Sequence, residues 1–242
     1  MRWIYISPHL DDAIYSAGGL IYDQVQAGTP VEIWTIMSKV PERAELSSYA
    51  KAIHQRWGTS SAEETIQVRR AENETASAIL GAENRYLGFV DSLYRTDEHG
   101  RTLYTSSFLP VNEYEQNLPN QIAKTISKNL QPGDRLVCPL ALGGHVDHVI
   151  ALKAVEKLAL KPFYIADIPY LLDAPRSLWT KTLGMKKSVH AVSKPGLQAW
   201  IKAILAYPSQ LEMEFGTAEQ MRKSMTAYWK KNKGIRLWQK RG

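Results

Sequence analysis

Cysteine is nearly absent from these 242 residues: Cys138 is the one thiol, so no intramolecular disulfide staples the chain. The single cysteine also argues against a structural zinc site, which is usually closed by four protein ligands and often rich in cysteine. Long apolar runs are missing as well. Segments such as Leu136-Val137-Cys138 and Ala203-Ile204-Leu205-Ala206-Tyr207 fall far short of the roughly 18 residues of a bilayer span. The opening Met1-Arg2-Trp3-Ile4-Tyr5-Ile6-Ser7-Pro8 lacks the apolar stretch of about 7 to 15 residues of a secretory signal and reads as a first strand. Together these absences set the expectation of a cytoplasmic protein. No internal repeat and no Gly/Ser linker interrupts a chain that is 44% hydrophobic and 22% charged, so one domain over 1–242 is expected.

Acidic residues are absent from one more place. Between Arg222 and Gly242 stand eight Lys or Arg and no Asp or Glu. Removing those eight from the thirty bases leaves 22 against 24 acids, so the net charge of +6 belongs to the tail and the body is close to neutral. That distribution argues against a nucleic-acid partner for the body. Tyr228, Trp229 and Trp238 interleave the tail. It fits either an anionic partner or a solvated helix whose aromatics and lysine stems pack on the body; a basic helical extension from about residue 195 is the expectation.

What is present is an alternation. Trp3–Ile6 and Val31–Met37 are apolar and β-branched or aromatic, and Ala13–Ala27 between them has helical spacing ended by Gly28. The pattern repeats. Ala62–Leu80 is a helix stopped at Gly81, Arg85–Leu87 a short strand, Asn117–Leu130 a helix and Arg135–Leu140 a buried strand. His148–Leu160 is helical and Phe163–Ile168 a further strand. Alternating strands and helices predict an α/β fold, Rossmann-like, with a mostly parallel sheet and helices on both faces. Polar insertions at Lys39–Ser61 and Ser92–Asn112 follow predicted strands, where such a sheet places its ligands.

The first strand runs into Pro8-His9-Leu10-Asp11-Asp12, and the fourth into Gly143-Gly144-His145-Val146-Asp147-His148. If these strands are neighbours, both loops face one crevice. Few His and Asp ligands with room for water suit a catalytic ion. A tight turn can aim His9 and Asp12 at one ion while Asp11 points elsewhere; His148 can complete the set and leave His145 for the substrate. A helix cap at Asp11-Asp12 and a polar turn at His145–His148 are the competing readings. His54, His99 and His190 have no such context and are expected as surface or internally satisfied residues.

Taken together, these motifs resemble the LmbE-like, or PIG-L, family of zinc-dependent N-acetylglucosaminyl deacetylases. The likeness extends to Arg69-x-x-Glu72 in a helix ending Leu80-Gly81 and to Leu87-Gly88-Phe89-x-Asp91, and covers roughly residues 1–150. It implies zinc, or Fe2+, held by His9, Asp12 and His148. It also implies Asp11 as general base, His145 as general acid or oxyanion stabiliser, and Arg69 and Asp91 beside a small N-acetylated sugar. Removal of an N-acetyl group from an amino sugar or its conjugate is the expected reaction. Hydrolysis of another amide or an ester, or non-catalytic glycan or anionic-polymer binding, are the alternatives. Ala13 stands where many members carry Glu, so a supporting carboxylate is expected to be missing there.

Overall fold

The computed structural model describes residues 1–42 and 45–241; Arg43 and Ala44, in the first polar insertion, and Gly242, in the tail, lie outside the described residues. Trp3–Ser7 (β1) and Val31–Met37 (β2) are buried at every position, as parallel strands covered on both faces must be. Asp12–Gln26 (α1) connects them, and Gly28 at φ 77° turns the chain out of the helix. The first polar insertion contains a helix, Ser48–Trp57 (α2), followed by Ala62–Leu80 (α3). Both begin at a serine, Ser47 and Ser61, whose Oγ accepts from the backbone N–H three residues on. Glu83–Phe89 (β3), Leu118–Asn129 (α4), Arg135–Pro139 (β4), Val146–Val155 (α5) and Phe163–Ile165 (β5) complete the expected alternation.

Among the described residues all seven strands, the last two being Met185–Ala191 (β6) and Gly234–Lys240 (β7), lie in one sheet ordered β3-β2-β1-β4-β5-β7-β6, in which the first five are parallel. The chain winds outward from β1 to β3, then returns to place β4 on the other side of β1. This reversal is the switch point at which open α/β sheets bind ligands.

Beyond β5 the structure departs from the expectation. Tyr170–Asp173 (α6), Ser177–Thr182 (α7), Met185–Ala191 (β6), Lys194–Ile204 (α8), Pro208–Phe215 (α9), Ala218–Asn232 (α10) and Gly234–Lys240 (β7) follow. The basic C-terminal segment is therefore not wholly helical. Its last part, β7, is a sheet strand antiparallel to both β5 and β6. Ile235 and Leu237 are buried in the core cluster, and that burial outweighs the charge that suggested an exposed helix. The α10 part does pack as expected: Met221 and Met225 are buried, and the Trp229 indole donates to the Val192 carbonyl.

Helices α1 and α8 meet closely because Gly18 and Gly19 offer no side chain. Trp200 of α8 lies against them, its indole N–H donating to the carbonyls of Ile14 and Tyr15 at 2.8 and 3.1 Å. A Cβ at Gly18 would come 2.5 Å from Trp200 Cδ1. Gly18→Val is therefore expected to cost about 1–3 kcal/mol of unfolding free energy in urea titration, the usual penalty for overpacking. Unchanged stability would show that α8 can move off α1 freely.

Candidate active site

The turn after β1 is fixed by its own polar atoms. Ser7 Oγ donates to the His9 carbonyl and accepts from the Ala13 N–H, while the His9 N–H donates to Asp12 Oδ2 at 2.7 Å. After the neighbouring β4 the chain passes through left-handed backbone at Ala141, Gly143 and Gly144. A Cβ on Gly143 would run into the Tyr170 ring, so glycine lets the loop lie against that ring. His145 then caps α5, its Nδ1 accepting from the Asp147 N–H at 3.2 Å.

These two turns bring His9, Asp12 and His148 together. Asp12 Oδ2 lies 3.1 Å from His9 Nδ1, and Asp12 Oδ1 lies 3.3 Å from His148 Nε2. The second nitrogen of each ring faces another carboxylate: His9 Nε2 is 3.1 Å from Asp147 Oδ2, and His148 Nδ1 is 2.7 Å from Asp167 Oδ1. Each imidazole is thus oriented to keep its other lone pair toward Asp12, the arrangement of metal-ligating histidines held by acids behind them. Each Asp12 oxygen thus faces one imidazole, at separations close to the roughly 3.3 Å between two ligand atoms that are each about 2.0–2.1 Å from a tetrahedral zinc-sized ion. Ring nitrogens of His9, His145 and His148 also lie within 4.8 Å of one another, as do donor atoms of His9, Asp91 and Asp147. Asp147 is already engaged, by Arg95 at 2.6 Å and by the Ser92 N–H at 3.0 Å.

The field here favours positive charge. Burial disfavours an imidazolium at His9, yet Asp91, Asp12 and Asp147 outweigh it and hold the pKa well above the ordinary value. Burial likewise opposes charge on His148, but Asp12 and Asp167 bring it up to about 10. Groups that favour two imidazolium ions also favour a dication with neutral imidazole ligands. The residues fit a divalent metal.

Asp11 points away from this centre toward Arg69, whose guanidinium donates to Oδ2 at 3.2 Å and lies over the Trp57 ring. Burial pushes the Asp11 carboxyl up, Arg69 opposes that, and Asp12 adds to it. His145 differs: burial, then the neighbouring His9 and His148, push its imidazole well below the ordinary value. A cavity of about 490 Å³ opens over these groups, of a size usual for small-ligand sites. His9, Asp11, Asp12, Arg69, Asp91 and His145 all line it, and His148 is buried beneath. Phe108, 57% exposed, packs edge-on against His145 and Tyr170 at the mouth.

Every candidate site residue read from the sequence therefore gathers in one place. Arg69 is bonded to Asp11 as well as facing the cavity. His54 is buried with Nε2 against the Tyr94 hydroxyl. His99 is on the surface, and His190 meets Ser188 and the edge of Trp3. Other residues of the site carry little signal in the sequence. Asp167 sits just past β5, and an acid at the carboxyl end of a predicted parallel strand was the signal for it. Arg95 was hidden in the second insertion; with Glu115 and Tyr104 it forms the network behind Asp147. Glu214 and Gln210 of α9 close the far wall. The carboxylate expected to be missing at Ala13 leaves neither histidine unsupported, because Asp147 and Asp167 hold them.

The sequence profile of PIG-L, described as GlcNAc-PI de-N-acetylase, matches residues 4–159. The chain is 27% identical over 226 residues to 2'-N-acetylparomamine deacetylase of Streptomyces fradiae, covering 88% of this chain and 75% of that one. Among solved structures, the zinc-inhibited form of teicoplanin deacetylase Orf2 superposes with a TM-score of 0.82 at 24% identity, covering 99% of this chain and 97% of the other. The A40926 pseudoaglycone deacetylase Dbv21 gives 0.75 at 23%, covering 98% and 96%. These two likenesses carry the fold; the profile match, over more than half of the chain, carries the family. The chain belongs to the PIG-L family and is a metal-dependent N-deacetylase.

Proposed function

We propose that the substrate is an acetylated amino sugar or its conjugate, and that zinc is the metal, held by His9, Asp12 and His148. The observation that carries this reading is Asp12 set between two imidazoles whose opposite nitrogens are each fixed by an acid. The paromamine relative acts on an acetylated amino sugar conjugate by its name, and the zinc-inhibited Orf2 structure supports zinc as an ion this fold accepts. Nitrogen and oxygen donors also suit Fe2+, which metal analysis separates from zinc.

When bound, zinc would lower the pKa of a bound water toward about 7 and polarise the acetyl carbonyl. Asp11, held by Arg69, takes the proton of the attacking water and passes it to the departing amine. Because His145 Nδ1 accepts a backbone N–H, its hydrogen is on Nε2, and the neutral ring donates that N–H to the oxyanion. Arg69 and Asp91 contact the sugar from the cavity wall. Cys138 is a buried free thiol, which fits work in a reducing cytoplasm. Among the described residues no helix is long and apolar enough to cross a membrane.

Asp11→Asn is expected to keep the metal and lose about 10² to 10⁴ in rate on N-acetylated sugars, read as amine release; an unchanged rate removes Asp11 as the base. Elemental analysis should give one zinc per chain after reconstitution, lost in His9→Ala and His148→Ala. Full occupancy in both variants would refute the ligand set. Asp167→Asn is expected to weaken metal affinity about 10- to 100-fold in a chelator competition, with no loss of fold by circular dichroism. Equal release of acetate from an ester and from the acetamide would shift the reading to a general acyl hydrolase.

A further inference from the structure

A second concavity, of about 500 Å³, lies on the other side of α6 from the catalytic cavity. Tyr170 and Asp173 of that helix face the catalytic cavity, whereas Leu171 and Leu172 face the second groove. Leu178 and Trp238 continue its apolar lining, Lys231 and Arg236 supply the charge, and among the described residues no acid lines it. The groove continues onto the edge strand. In the β6–β7 pair Lys187 stands opposite Trp238 and Val189 opposite Arg236, so these side chains share one face of the sheet. Val189 is 54% exposed there.

Next to Leu178, Trp179 lies on α7 and Leu183 follows directly after the helix ends at Thr182 on the way to β6, and both are 70% exposed. Large apolar residues left in water at this density mark an interaction surface. The segment of chain that carries them is one-sided in charge. Residues 174–242 carry 14 Lys or Arg against three acids, whereas residues 1–173 carry 16 against 21. Among the described residues, Lys240, paired with Glu156, is the one base of those 14 that has an acidic partner.

We propose that this face, made of α7, the β6–β7 edge and the groove beside α6, docks on an anionic phospholipid surface. Trp179 and Leu183 enter the boundary between headgroups and acyl chains, and Lys187, Lys231 and Arg236 meet the lipid phosphates. A bilayer is favoured over a nucleic acid because Leu183 and Val189 have no base edge to read and no ring to stack, yet they gain directly from an acyl boundary.

The full-length metal-loaded protein tests this by co-sedimentation with phosphatidylcholine vesicles and with vesicles containing about one third phosphatidylglycerol. Binding to the anionic vesicles alone is expected, weakened by 0.5 M salt. Trp179→Ala/Leu183→Ser and, separately, Lys187→Gln/Lys231→Gln/Arg236→Gln are each expected to lower vesicle affinity about tenfold or more. Turnover of a soluble N-acetylated sugar should be unchanged in both, which also reports that they fold. Equal binding to both vesicle types, or none to either, overturns the proposal. Retention on RNA without vesicle binding reassigns the face to nucleic acid, and a wild-type dimer dissociated by Trp179→Ala/Leu183→Ser reassigns it to a second copy of the chain.

Discussion

Burying a carboxylate in a protein costs several kcal/mol unless a cation or hydrogen-bond donors go with it, and this molecule buries Asp11, Asp91, Asp147 and Asp167 at one end of one sheet. Each is compensated differently. Arg69 answers Asp11, Arg95 and the Ser92 N–H answer Asp147, His148 answers Asp167, and the Leu93 N–H answers Asp91. Asp12 faces His9 and His148, each already directed by an acid of its own. A dication relieves the concentration of negative charge at that point. The arrangement is expensive to build without a cation and consistent with one, which is why the metal follows from electrostatics as well as from family membership.

The topology supplies this concentration cheaply. Since β1 is flanked by β2 and β4, and β4 by β5, the turns leaving β1, β4 and β5 emerge side by side. From those turns come His9, Asp11 and Asp12, then His145, Asp147 and His148, then Asp167. The turn after β3 adds Asp91 and the Ser92 N–H from the other side. Ser7 and the left-handed residues at 141, 143 and 144 hold the two main turns in shape, so the donor geometry is set by backbone as much as by side chain.

How much of this is legible without coordinates depends on which force placed each residue. The strands β1, β2 and β4, buried almost throughout and mostly apolar, can be read directly, as can α3 with Ser61 and Gly81 at its ends. The metal-centre residues are legible because they sit where two such strands stop. The edge strand β6, Met-Lys-Lys-Ser-Val-His-Ala, is not legible, since lysines that guard an exposed edge erase the alternation that signals a strand. In β7 the pairing with β5 and β6 is non-local, and Arg236 and Lys240 obscure the inward Ile235 and Leu237. Arg95 and Glu115 are hidden for another reason: their partners are 52 and 20 residues away in sequence.

This division of labour bears on substrate choice. The groups assigned to chemistry, Asp167 behind His148 aside, lie within the 4–159 region that the family profile matches. One wall of the cavity comes from outside it: Tyr170 and Asp173 of α6, Gln210, Met213 and Glu214 of α9. Among these, Glu214 is held up to about 7 by burial and by Asp11 and Asp12, so its charge depends on what shares the cavity with it. A carboxyl so placed gains most from a positively charged or hydrogen-bond-donating substituent on the sugar, and an apolar substituent leaves it desolvated without a partner. The proposed metal ligands and this wall of the cavity are thus built on separate segments of the chain. The second can change by substitution in α6 and α9 while the strand ends that carry His9, Asp12 and His148 stay as they are.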